Sequence, residues 1–252
     1  MSSVLSQIQA TSASSASSMG SGLDITAIVS GIITADSTKL NALKAKSKAN
    51  TDTVNLDNTT MSQISSVKDL FSKVVSATNA TTPSLDTITT AMTNFVSGLN
   101  SLISIGKSSN DRDIKDAISS FKIAVSGGKS TGNDSYSIMA QLGLSTNRDG
   151  TVSFDSTKFQ DAYNNDTTAT NTLLTKVASD LAASSDKLTG YNSPLQIRNT
   201  SLTNNNTDIA ARLVKEQDRL DKETSTLYST YSKMDSAVAA LNSLGQNLTK
   251  MG

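Results

Sequence analysis

The chain has 252 residues, of which 36% are hydrophobic and 17% charged, against roughly 45–50% and about 25% in ordinary globular domains. The deficit is filled by 42 Ser, 32 Thr and 20 Asn, and Cys, His and Trp are absent. With a formal net charge of +0, this composition excludes a disulfide framework, thiolate or imidazole metal sites, a cysteine nucleophile, and strong steering toward nucleic acid or an acidic membrane.

Residues 1–21 are Ser/Ala-rich and read as a disordered leader. They lack the positive and apolar regions of a secretory signal, so any export would use another route. From Gly22 to about residue 48 the spacing of Ile28, Val29, Ile32, Ile33, Leu40 and Leu43 predicts an amphipathic helix. Asp24 is placed to cap it, and Lys39, Lys44, Lys46 and Lys48 crowd its far end, where cations suit the helix dipole. A second helix is expected over 51–77. Residues 78–84, with Pro83, break the pattern, and helices resume over 85–105 and 112–125.

The texture then changes. Residues 126–135 carry three Gly and read as a loop. Over 136–155 an Asp149-Gly150 turn followed by the alternating Thr151-Val152-Ser153-Phe154 predicts a small β-element. Asp155 is positioned to cap a helix at 156–164, and a further helix is expected over 167–189. The last helix spans about 195–249. Along it Leu213, Leu220, Leu227, Met234, Leu241 and Leu248 recur every seven residues. The companion positions Gln217, Thr224, Tyr231, Val238 and Gly245 are mixed. This helix therefore suits packing on its own chain and on other subunits better than a self-sufficient coiled coil. The fold class expected is mainly α: long amphipathic terminal helices forming a hairpin or coiled-coil leg, with a small β-element.

Motifs for bond chemistry fail on inspection. Asn147-Arg148-Asp149-Gly150 resembles the start of a calcium loop but lacks its terminal bidentate Glu. Gly128-Lys129-Ser130 lacks the leading Gly of a phosphate loop, since Ile123 stands there. The chain reads as a non-enzyme with no catalytic, cofactor-binding or metal residues and no cofactor, and neither nucleic acid nor membrane is an expected partner.

Three stretches, in order, resemble the flagellar filament cap proteins, the hook-associated protein 2 family. The first is Gly22-Leu23-Asp24-Ile25 running into Ile28-Val29-Ser30-Gly31-Ile32-Ile33. The second is GLSTNRDGTVSFD, from Gly143 to Asp155. The third runs from Arg212-Leu213 through Tyr228, Tyr231 and Met234-Asp235 to Leu241-Asn242-Ser243-Leu244. The resemblance implies export through the flagellar type III system and a position at the distal tip of the extracellular filament. It also implies a homo-oligomeric ring, such as a pentamer. Its partners would be further copies of itself, flagellin, the hook–filament junction protein and, before secretion, an export chaperone. It divides the chain into the leader 1–21, a terminal-helix domain of 22–48 with 215–252, and a leg domain of 49–214. The outer β-rich domains usual in the family would be absent, because only residues 78–84 stand in their place. The expected assembly and partner-binding residues are Ile25, Ile28, Val29, Ile32, Ile33, Leu227, Met234, Val238, Leu241, Leu244 and Leu248. Two other readings remain at this point: an axial structural subunit, meaning a flagellin or junction protein, and a coiled-coil adhesin or secretion-system tip protein.

Overall fold

A computed structural model describes residues 24–126 and 138–251. The expected leader and the Gly-Lys-Ser stretch lie outside the described residues. The helices are α1 (Ile25–Asp36), α2 (Thr38–Thr78), α3 (Leu85–Ser108), α4 (Arg112–Val125), α5 (Ser156–Asn165), α6 (Thr167–Thr189) and α7 (Pro194–Met251). A 3₁₀ turn at Met139–Leu142 and two strands, β1 (Leu144–Thr146) and β2 (Val152–Phe154), complete the described chain. It is mainly α with a small β-element, as the residue pattern predicts. Two compact units are present: Met1–Thr51 with Asn204–Gly252, and Asp52–Thr203.

The first helices differ from expectation in one respect. The break expected near residue 49 falls instead at Ser37, and α2 runs unbroken from Thr38 to Thr78. Thr34, Ser37 and Thr38 cluster at this break. Their hydroxyls donate at 2.7 Å to the carbonyls of Ser30, Thr34 and Ala35. Three such back-bonds within about one turn compete with the backbone ladder. The polar stretch around residue 50 has neither Gly nor Pro to stop the helix. Lys44, Lys46 and Lys48 therefore sit inside α2, away from any helix C-terminus, and the expected dipole complement does not apply to them. Asp24 does cap α1, accepting from the Ala27 amide at 2.9 Å.

The Asp52–Thr203 unit holds the main core. Ile64, Val67, Phe71 and Val74 of α2 bury at three- and four-residue spacing, and α3 turns Ile88, Met92, Phe95, Leu99 and Leu102 inward. Phe71 and Phe95 meet edge to face with ring centres 4.7 Å apart. Phe121 of α4, Phe159 of α5 and Leu174, Val177 and Leu181 of α6 belong to the same cluster. Each such side chain contributes roughly 1.5–3 kcal/mol on burial.

The β-element is seated on this core. β1 and β2 pair antiparallel, with Leu144 opposite Phe154 and Thr146 opposite Val152. Gly143 and Gly150 both take φ +85°, which an L side chain rarely adopts. The Asn100 carboxamide on α3 closes the outer edge of β2. Its Nδ2 donates to the Val152 carbonyl and its Oδ1 accepts from the Val152 amide, each at 2.8 Å. Lys122 of α4 donates to the Gly150 carbonyl at 2.9 Å. In the turn, the Thr151 hydroxyl and amide and the Lys107 ammonium hold the Asp149 carboxyl down to about 2.

One ionic node ties three helices of this unit together. Arg198 of α7 forks onto the fully buried Asp57 of α2, donating from Nε at 2.8 Å and also from its terminal nitrogen. It reaches Asp111 at 3.0 Å and Asp113 at 2.7 Å as well. Asp111 is the N-cap of α4, accepting from the Asp113 and Ile114 amides. Burial pushes the Asp111 carboxyl upward. The hydrogen bonds from Arg198 and those amides outweigh it, and the net shift is downward. The Asp57 hydrogen bond raises the Arg198 guanidinium above its usual value.

Candidate assembly surface

The unit built from both ends of the chain is a helix pair of limited core. Val29, Ile33, Leu40 and Leu43 bury on the N-terminal side, and Ile209 and Leu220 on α7. Polar contacts set its register. Asn50 donates to Asn205 at 2.9 Å, Lys39 to Glu216 at 2.8 Å, and Arg219 to the Asp36 carbonyl at 3.3 Å. These partners step in opposite directions one for one, so the helices run antiparallel. Glu216 is the centre of the clamp. It is buried and accepts from Lys39 and, at 3.0 Å, from Arg219. The Lys39 hydrogen bond, with that of Arg219, holds its carboxyl below the usual range. The Glu216 hydrogen bond in turn raises Arg219, which also reaches Glu223 at 2.6 Å.

The same stepping places Ile25 opposite Thr230. One further step sets Asp24, the first described residue, opposite Tyr231, and no described residue of the N-terminal segment precedes it. The burial of the heptad positions follows this geometry. Leu220 is 1% exposed and Leu227 half-buried, whereas Met234 is 42%, Leu241 66% and Leu248 64% exposed. Leu244 and Met251 are exposed as well. At 100° per residue, Leu227, Met234, Val238, Leu241, Leu244, Leu248 and Met251 fall on one stripe about 140° wide. From Met234 to Met251 this ridge is about 26 Å long.

The expected partner-binding residues therefore divide into two sets. Val29 and Ile33 are buried, and Ile25, Ile28 and Ile32 are half-buried on α1. On α7, Leu227 and Val238 are half-buried, while Met234, Leu241, Leu244 and Leu248 are open to solvent. Sequence reasoning missed Met251, which extends the stripe, and the Lys39–Glu216–Arg219 clamp. A signal for the clamp was present: the only two Glu of the chain lie three residues before and four after Arg219.

The exposed aliphatic groups at the end of α7 offer a surface for association. Among the described residues, no group of three or more His, Cys, Asp or Glu could hold a metal ion. No helix among them is long and apolar enough to cross a membrane. Comparison with known families matches residues 42–243 to the model described as flagellar hook-associated protein 2 C-terminus. No curated protein matches the chain.

Proposed function

The chain belongs to the flagellar hook-associated protein 2 family, and from that premise we propose that it caps the distal tip of the growing bacterial filament and promotes flagellin folding and insertion there. Residues 22–48 with 215–252 act as the terminal-helix domain, and 49–214 as the leg beside the site where flagellin inserts. The protein leaves the cell through the flagellar type III system, held until then by an export chaperone. Several copies form a ring at the tip, in contact with flagellin and initially with the hook–filament junction protein. The cap works as a template and cover. Apolar helix faces engage the open filament end, and each incoming flagellin displaces them in turn.

The observation that carries this reading is the exposed stripe from Met234 to Met251. A monomer gains nothing from holding five large apolar side chains in water, whereas a contact that buries them gains roughly 1.5–3 kcal/mol for each. The test is Leu241→Asp. At 66% exposure the new carboxylate stays solvated in the dilute chain, and melting should not change. In the assembled contact it would be buried and unpaired, at a cost of several kcal/mol. Cells carrying the change should export flagellin yet leave it as monomer in the medium. Normal filaments of normal length would refute the proposal.

A further inference from the structure

The sulfur chemistry of the ridge has a consequence that association alone does not. With no Cys, His or Trp in the chain, the seven Met thioethers are its most readily oxidised side chains. Met61, Met92 and Met139 are 9%, 0% and 1% exposed in the core. Met1 and Met19 lie outside the described residues. The two exposed Met among the described residues, Met234 at 42% and Met251 at 86%, stand on the same α7 stripe as Leu241, Leu244 and Leu248.

We propose that Met234 and Met251 are peroxide-sensitive modification sites, and that their oxidation disables the ridge for docking. The docking part rests on the capping role proposed above. Hydrogen peroxide is the oxidant. A thioether lone pair attacks one peroxide oxygen, the S–O bond forms as the O–O bond breaks, and the products are the sulfoxide and water. The sulfur loses two electrons and the peroxide gains them. The chemistry needs access to sulfur, which the core denies to Met61, Met92 and Met139.

A sulfoxide is polar and accepts hydrogen bonds, and the neighbours along the stripe are Leu side chains that donate none. Burying it against an apolar partner strands an acceptor without a donor. Met234 is the more consequential of the two, because it occupies the heptad position between Leu227 and Leu241. Covering the ridge would shield both sulfurs. The vulnerable interval is thus the one before assembly.

The experiment uses the full chain treated with dilute hydrogen peroxide, then digested and mapped by mass. Met234 and Met251 should oxidise at least about tenfold faster than Met61, Met92 and Met139, the reactivity following exposure. Rates at Met234 as slow as those in the core would overturn the site assignment. Docking on purified filament ends is then measured before and after treatment, for the natural chain and for a Met234→Leu/Met251→Leu double variant. Each is compared with its own untreated sample. Peroxide should weaken docking of the natural chain about tenfold and leave the double variant at its untreated level. Equal loss in both would assign the effect to other groups, and loss in neither would show that the sulfoxides are tolerated. Either result overturns the second half of the proposal. If the untreated natural chain fails to dock, the capping role and the docking part fall together, while the mapped rate ratio still decides the modification sites.

Discussion

Removing the Arg198 side chain tests what holds the Asp52–Thr203 unit together. Asp57 is fully buried, and both its carboxylate oxygens are bonded to Arg198. Arg198→Met keeps most of the stem and deletes the charge. It strands Asp57 in the interior and takes from Asp111 a partner that steadies the cap of α4. Breaking a buried pair from one side costs about 3–5 kcal/mol, because the remaining charge is uncompensated. Replacing both partners by groups of similar size is far less costly, so Arg198→Met with Asp57→Leu should recover most of the loss. Hydrogen exchange on α3 peptides reads the opening of this unit alone. The single variant should speed exchange of the slowest amides by roughly two to four orders of magnitude, and the double variant by much less. A single variant within about tenfold of the natural chain would show that Asp57 is not held as a buried charge. A double variant as labile as the single would show that the damage lies in packing rather than in the unpaired carboxylate.

Acid should weaken the helix-pair unit through Glu216. Its folded-state carboxyl is held below its ordinary value of 4.5, so the unfolded chain takes up a proton that the folded one resists. The stabilisation is complete above that value and is lost as pH falls through the lower folded one. Glu216→Gln should flatten the acid dependence of exchange in α1, and an unchanged slope would refute the clamp. Gly143→Ala puts a Cβ 2.5 Å from the Asp155 carbonyl at φ +85°. It should cost about 1–3 kcal/mol, seen as faster exchange across β1 and β2; unaltered protection there would be the contrary result. Asn100→Ala leaves both polar groups of Val152 without their partner. The expected cost is about 1–3 kcal/mol, and the Val152 amide is the reporter whose unchanged exchange would count against it.

The elements with a period were legible from residue types. Thr167–Thr189 and Arg112–Val125 are bounded as expected, because each has a short acceptor, Asp166 or Asp111, in front of a 3.6-residue apolar pattern. Phe95, Leu99, Phe121 and Phe159 come together in one cluster, and Phe154 packs against it. What was not legible was long-range. Nothing local distinguishes the hydroxyls at Thr34, Ser37 and Thr38, which cluster at a helix break, from those of the Ser and Thr inside helices. Arg198 meets Asp57 across 141 positions, and Lys39 meets Glu216 across 177. Such pairs depend on the tertiary register, which a one-dimensional pattern does not contain. The heptad seam was visible as a repeat, but its division between covered and open halves was not. A Leu every seventh residue looks the same whether or not a helix lies opposite.

That division indicates how one helix can serve two ends. Up to Leu227 the α7 stripe is bought by contacts within the chain: Leu220 is buried, and Glu216 is clamped by Lys39 and Arg219. These contacts combine hydrogen-bonded charge with few aliphatic groups, and they fix register more than they add stability. Past Met234 the stripe is aliphatic, with Leu241, Leu244, Leu248 and Met251 exposed. A surface that must release one partner and accept the next is better made of non-directional apolar contact than of paired charge. Apolar groups leave no stranded hydrogen-bonding atom when they part, whereas a buried ion pair leaves two. On the capping role proposed above, this order along α7, directional contacts first and aliphatic contacts last, suits a helix whose near half is held within the chain and whose far half meets changing partners.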